Sequence, residues 1–285
     1  MSRFLIAAVF GCGVLLMFPM GDIGIRAQEL DAKSRVANVT FCAMGDVPYT
    51  DADDILLPIH IKGLPAEAEF TVHVGDIKGG ATACDEAVYV KVAEMLSAAV
   101  APVFVIPGDN EWNDCIDPDP HQAWQYWEKH FIRFDRRWKH QLPVFRQLER
   151  EENFSFVKNN VLFVGLNIVG GRVHDAAEWK QRHTECLTWI RRNLSRFGSQ
   201  VSSMVILGHA KPAAKHDDFF NPFQDDATQF KKPILYLHGD GHSWIHDHPF
   251  AAKNILRVQV DQGGKAQPVR ITVTEHPAEP FVFER

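Results

Sequence analysis

The sequence predicts an α/β fold in which two mixed sheets pack face to face with helices outside. Three observations carry that expectation. First, five short apolar runs end at a glycine paired with Asp or His. Residues 39–43 run into Met44-Gly45-Asp46, residues 70–74 into Gly75-Asp76, and residues 103–106 into Pro107-Gly108-Asp109. Residues 204–207 run into Gly208-His209, and residues 234–237 into His238-Gly239-Asp240-Gly241-His242. Runs of that length, stopped by turn formers, read as buried parallel strands whose C-terminal ends present polar groups. Second, segments of helical spacing separate the first of these runs. Third, hairpin-like alternation takes over toward the C-terminus, and strands alternating with helices before hairpins give two layers of sheet rather than one.

The elements follow in order. Residues 28–37 are a polar lead-in, and residues 39–43 are the first strand, leaving through Asp46-Val47-Pro48-Tyr49. Residues 51–64 have mixed polarity and contain a helix. The second strand, residues 70–74, leaves through Lys78-Gly79-Gly80. Residues 85–99 place Val88, Val92 and Leu96 on one helical face. The third strand opens the stretch VFVIPGDNEWNDC, residues 103–115. Residues 118–137 form a Pro-started helical segment whose Trp124, Trp127, Phe131 and Phe134 read as packing. Residues 154–157 and 161–166 are strands joined by a hairpin turn at Asn159-Asn160. Residues 175–197 are a long amphipathic helix carrying Trp179, Leu187, Ile190 and Leu194. Residues 255–260 and 269–273, either side of Gly263-Gly264, are expected to pair as an antiparallel hairpin closing the second sheet. There is no internal repeat and no long linker, so residues 28–285 read as one domain.

A chain of 285 residues with 46% hydrophobic and 23% charged side chains has ample material for such a core. The net charge of −6 and the absence of a basic run argue against nucleic acid as a partner, since a phosphate backbone demands a basic face. A small anionic substrate stays open. Residues 1–27 are expected to be a signal peptide: Met1-Ser2-Arg3, an apolar run over residues 4–18, then Arg26-Ala27-Gln28. That makes the protein exported, periplasmic or secreted, with no stable membrane span after cleavage. The alternative is an uncleaved anchor, although the run is shorter than the roughly 20 apolar residues of a comfortable span. Lipidation at Cys12 fits poorly, because the apolar run continues past it.

Of the five cysteines, Cys12 leaves with the signal, and Cys42 and Cys186 lie in apolar strand and helix positions as buried thiols. Cys84 and Cys115 each follow a Gly-Asp strand end on one rim of the sheet. An exported protein can keep a disulfide there; two free thiols are the alternative.

Asp46, Asp76, Asp109, His209, Asp240 and His242 make an oxygen and nitrogen donor set without cysteine, which suits Zn, Mn or Fe. Six donors exceed what one open ion needs. Two divalent or transition metal ions sharing a carboxylate account for the number, in an arrangement suited to phosphoryl displacement. A lone Asp after a strand is usually a cap or turn former; six such residues in this order are harder to explain that way.

This order resembles the calcineurin-like metallophosphoesterase superfamily, which includes the purple acid phosphatases. That family runs Asp-x-His, Gly-Asp, Gly-Asn-His-Glu, Gly-His and Gly-His-x-His along a four-layer α/β/β/α sandwich. The resemblance spans residues 39–273 and implies a metal-dependent phosphoesterase with a small phosphorylated substrate. It implies Asp46 and His242 as ligands of a first metal, Asp76 as the bridging carboxylate, His209 as the lone His ligand of a second, and Asp109 and Asp240 as further metal ligands. Asp109 stands for the family's Asn, and Asp240 for its first His. Two departures matter more. Pro48 replaces a first-metal His, and Asn110 replaces the His beside the leaving group, which leaves Asn110 either to contact phosphate as a catalytic residue alongside Asp76 or only to form the loop. Glu111 reads as holding the loop, and His73 and His238 as structural histidines. Lys78 and Lys211 read as phosphate-facing or solvated charges, and His216, His246 and His248 as surface loop residues. A non-catalytic metal- or ligand-binding protein on the same fold is the rival reading. A serine hydrolase is disfavoured because no G-x-S-x-G elbow is present.

Overall fold

A computed structural model describes residues 38–285; the expected signal segment and Cys12 lie outside the described residues. In chain order the first half forms β1 (Val39–Met44), α1 (Asp51–Lys62), β2 (Thr71–His73), α2 (Glu86–Ser97), β3 (Val103–Val105) and α3 (Pro120–Phe131). The second half forms β4 (Phe145–Arg146), β5 (Phe154–Lys158), β6 (Val161–Gly165), α4 (Ala176–Phe197), β7 (Ser203–Leu207) and α5 (Asp217–Phe230). It ends with β8 (Ile234–His238), β9 (Ile245–Asp247), β10 (Ile255–Gln259), β11 (Val269–Val273) and β12 (Phe281–Glu284).

Local chemistry fixes the boundaries. Thr50 and Asp53 close a capping box over the start of α1. Asp119 caps α3 with Pro120 in its first turn, where the missing N–H costs nothing. Asp175 caps α4 through the backbone of Ala177 and Glu178. Asn159 and Asn160 both take positive φ, the requirement of a tight two-residue hairpin between β5 and β6.

The strands assemble into a five-stranded sheet, β12-β11-β1-β2-β3, and a seven-stranded sheet, β4-β5-β6-β7-β8-β10-β9. Both are mixed. The pairs β1/β2 and β2/β3 are parallel, as are β6/β7, β7/β8 and β8/β10. Between the sheets, Phe41, Phe70 and Phe104 of one face meet Phe156 and Phe163 of the other, with ring centroids 5.1–5.5 Å apart. Leu57, Val92, Leu96 and Trp127 seal α1–α3 onto the smaller sheet, and Cys186, Ile190, Phe219 and Phe223 seal α4 and α5 onto the larger. The result is the expected four-layer α/β/β/α sandwich. Truncating one of the central rings, for example Phe70→Ala, removes contacts on both inner faces.

Two expectations need correction. Residues 255–260 and 269–273 do not form one hairpin. β10 lies parallel to β8 in the larger sheet, while β11 crosses to the smaller one and runs antiparallel to β1. The crossing is made possible by Gly263, which sits so close that a Cβ there would lie 2.5 Å from Val47. His216, expected on the surface, is fully buried: its Nε2–H donates to the Val169 carbonyl at 2.9 Å, and its ring stacks on Trp179. α5 is a further helix, with Phe219, Phe220, Phe223 and Ala227 as its buried stripe.

Burial pushes His216 and His73 down to about 4. Each is neutral when folded but binds a proton when unfolded below its ordinary value. Their contribution to stability is therefore complete above about pH 6.5 and is lost as the pH falls toward 4. Denaturant unfolding at pH 7 and pH 5 should differ by about 1–2 kcal/mol for each histidine. His216→Gln should reduce the difference by its own share, about 1–2 kcal/mol.

Candidate metal centre

The parallel strands bring their C-terminal ends to one edge, as sites in α/β sheets require. Two hydrogen bonds join the edges of the two sheets. His209 Nδ1–H, beyond β7, donates to the Val74 carbonyl beyond β2 at 2.7 Å. The Asp240 amide, beyond β8, donates to Asp46 Oδ1 beyond β1 at 3.2 Å.

The turns that present these side chains are costly. Asp46, Asp76, Asp240 and His242 all take left-handed φ, between 56° and 66°, as non-glycine residues. Such backbone costs of order 1–3 kcal/mol per residue and clusters at functional sites. Gly75 and Gly108 let two strand exits touch: a Cβ on Gly75 would lie 2.7 Å from Gly108 Cα and from His209 Nδ1.

All six expected ligands converge. His209 Nε2 lies 3.3 Å from Asp76 Oδ1 and 3.2 Å from Asp109 Oδ1. His242 Nε2 lies 3.4 Å from Asp46 Oδ1 at the exposed rim. Two groups can each hold a metal ion, Asp46 with Asp76 and His209, and Asp109 with His209 and Asp240; within each group the donor atoms lie within 4.8 Å of one another. His209 can serve only one ion, because its other nitrogen is committed to Val74. Asp76 has two oxygens and can serve both.

The residues fit a cation. Asp46 Oδ2, Asp109 Oδ1 and His209 Nε2 are buried polar atoms without a hydrogen-bond partner. The Val74 bond directs the second nitrogen of His209 at two carboxylates, so that space calls for positive charge. Burial raises the Asp76 carboxyl well above its ordinary range. For His209, burial opposes the imidazolium, but Asp76 and Asp109 outweigh it and hold the ring charged well above its ordinary value. Protons thus take the role that a cation would play among these groups.

Supporting groups surround the donors. Glu111 accepts from the Gly108 amide at 2.5 Å and the Asp76 amide at 3.3 Å, so it holds two strand exits together. Asn110 comes into the centre, but its side-chain amide donates to Asp76 Oδ2 at 2.5 Å and the Lys78 carbonyl at 3.2 Å. Lys78 does not present a free charge: its buried ammonium donates to the Thr82 carbonyl at 2.8 Å. Lys211 is exposed, and so are His246 and His248. His73 and His238 each bond a nearby carbonyl as structural histidines.

The residue missed from sequence is Tyr49. Its hydroxyl donates to Asp76 Oδ2 at 2.6 Å and lies 3.1 Å from Asp46 Oδ1 and 3.4 Å from His242 Nε2. Burial, then the Asp76 and Asp46 charges, hold the phenol protonated far above its usual value. The only available signal was position: Tyr49 follows Pro48, whose side chain cannot donate or ligate.

Cys84 and Cys115 form a disulfide with Cα atoms 6.2 Å apart, and both sulfurs lie within 3.7 Å of the Asn110 carbonyl. The bridge closes a loop across 31 residues and holds the Asn110 turn. Replacing both cysteines with serine should cost about 2–4 kcal/mol of unfolding free energy, measured by denaturant titration.

No family model and no curated protein matches the sequence. Among solved structures, the chain is similar to GAP50, the anchor in the inner membrane complex of Plasmodium, with 12% identity and a TM-score of 0.51 over 87% of this chain and 88% of that one. It is similar to purple acid phosphatase PPD1 from yellow lupin (Lupinus luteus) seeds, at 11% identity and a TM-score of 0.51 over 83% of this chain and 49% of that one. It is also similar to 5'-nucleotidase from Candida albicans, at 13% identity and a TM-score of 0.51 over 86% of this chain and 50% of that one. The chain spans about half the length of these two enzymes. Sheet order, layers and these likenesses agree: the described chain has the calcineurin-like metallophosphoesterase fold.

Proposed function

We propose that this chain is an exported, metal-dependent phosphoesterase acting on a small phosphorylated substrate. The observation that carries the reading is the convergence of buried donor atoms without partners on the strand-end edge of this fold. Asp76, Asp109, His209 and Asp240 would hold one ion, and Asp46, Asp76 and His242 a second, with Zn, Mn or Fe matching the donors. Bound cations would supply Lewis acidity, neutralising phosphoryl oxygens and activating water. The chain's own residues have defined tasks. Val74 fixes the His209 tautomer, Glu111 locks the Asp76 and Gly108 turns, and Asn110 orients the shared carboxylate. Tyr49 supplies a hydroxyl where Pro48 offers no side-chain donor. Export rests on the sequence of residues 1–27 and on the disulfide, which oxidising compartments preserve.

A second reading, a non-catalytic metal-binding protein, draws support from the likeness to a protein described as an anchor and from Pro48 and Asn110. Titrating metal-free protein with Zn²⁺ or Mn²⁺ by calorimetry tests what both readings share. Saturable binding abolished in His209→Ala is expected, and absence of binding would remove both.

A further inference from the structure

The loop between β1 and α1 carries a donor that the two proposed ligand sets leave out. One ion draws on four side chains, Asp76, Asp109, His209 and Asp240. The other draws on three, Asp46, Asp76 and His242, and the His242 side chain is 45% exposed at the rim. Pro48, beside this smaller set, has no group that can ligate. Tyr49 fills the gap. Its hydroxyl oxygen lies 2.6 Å from Asp76 Oδ2, 3.1 Å from Asp46 Oδ1 and 3.4 Å from His242 Nε2. His242 Nε2 in turn lies 3.4 Å from Asp46 Oδ1. One oxygen is thus surrounded by all three members of the smaller set.

Hydrogen bonding does not account fully for these neighbours. A phenol carries a single proton. Given to Asp76, the nearer carboxylate, it leaves lone pairs of the hydroxyl facing Asp46 Oδ1 at 3.1 Å. Two oxygens facing each other in this way call for a cation. Donor atoms held about 2.0–2.2 Å from one ion stand roughly 2.8–3.6 Å apart, from octahedral to tetrahedral angles. Three of the four separations fall within that range, and the fourth is the hydrogen bond to Asp76 that ligation replaces.

The phenol is also held in place. The Tyr49 amide donates to Asp53 Oδ2 at 2.9 Å, which ties the loop to the capping box of α1. The Tyr49 ring meets the His242 ring edge-on, with centroids 5.5 Å apart. Asn110 Nδ2 donates to the hydroxyl at 3.3 Å.

We propose that Tyr49 is a fourth protein ligand of the ion assigned to Asp46, Asp76 and His242, binding through its phenolic oxygen where Pro48 supplies no donor. This rests on the metal-centre reading and refines it. On binding, the O–H bond breaks, its electron pair stays on the oxygen and is shared with the cation, and the proton passes to solvent.

The test is titration of metal-free wild type and metal-free Tyr49→Phe with Zn²⁺, followed by calorimetry and by ultraviolet difference absorbance. Zn²⁺ itself is colourless, so a new band comes from the protein. Wild type should bind two ions and shift a tyrosine band to longer wavelength, as a phenolate does. The chain has four tyrosines, and Tyr89 and Tyr236 are buried and donate to the carbonyls of Glu111 and Ala210. The shift should be absent from Tyr49→Phe. That variant should keep one ion at wild-type affinity and bind the other about tenfold or more weakly. A hydroxyl that only orients the shared Asp76 would weaken both ions alike and give no shift, which would overturn the proposal, as would unchanged affinity for both. The wild-type spectrum decides the matter even if the variant does not fold: two bound ions without a tyrosine shift would overturn ligation by Tyr49 and leave the metal centre standing. No binding would remove both. A tyrosine shift in protein that hydrolyses no ester would support the ligand and overturn the phosphoesterase reading alone.

Discussion

Asp76→Asn is expected to lose most of the bound metal while keeping the fold. Partners of ligating residues typically cost roughly 10–100-fold in metal affinity when removed. On the proposed reading Asp76 is itself a donor, and shared, so the loss should reach or exceed the top of that range. The stability of the metal-free variant gives a second, opposite-signed readout. In the native chain Asp76 is buried beside Asp109, Glu111 and Asp46, and burial and these charges raise its carboxyl well above the ordinary range. An isosteric amide removes that repulsion, so metal-free Asp76→Asn should be at least as stable as metal-free wild type at neutral pH. Metal should then add stability only to wild type, about 2.7 kcal/mol at a hundredfold excess over Kd. If Asp76 served only to accept from Asn110 and Tyr49, the variant would be destabilised without metal and metal content would not change. Thermal melts with and without chelator, alongside elemental analysis, separate the two.

The second large effect concerns the leaving group. An amide at position 110 cannot donate a proton at an accessible pKa, and here it is committed to Asp76 and the Lys78 carbonyl. General-acid assistance typically contributes ~10²–10⁴-fold. His216 is buried and tied to Val169, and His246 is exposed on β9, so neither stands in for it. Rates should therefore fall steeply as the leaving group becomes more basic, with aryl esters and anhydrides favoured over alkyl monoesters. A series of aryl and alkyl phosphates, followed at saturating metal, measures the slope. Similar chemical-step rates across the series would show that another group donates the proton. Asn110→His should flatten the slope if its imidazole reaches the leaving oxygen.

Much of the fold was legible because strand ends carry their own punctuation. Gly45-Asp46, Gly75-Asp76 and Gly208-His209 mark both the end of a strand and the edge on which a site forms. Helix spacing revealed α2 and α4, and Asn159-Asn160 revealed a hairpin whose two residues do take positive φ. Other features depend on long-range contact. Which sheet β11 joins depends on Gly263 passing against Val47, a contact between residues far apart in sequence. The three-residue β9 and two-residue β4 are defined by their partners rather than by any pattern of their own. Tyr49 was visible as a residue but not as a neighbour of Asp46, Asp76 and His242, because only the folded loop brings its hydroxyl to them.

The central claim, a metal centre that hydrolyses phosphate esters, is tested most directly on one preparation of purified protein. Its metal content is measured, and then its hydrolysis of an aryl phosphate monoester and diester before chelation, after chelation and after metal is restored. The account predicts bound transition metal and hydrolysis of at least one ester that disappears with the metal and returns with it. Fully loaded protein that hydrolyses neither ester would contradict it.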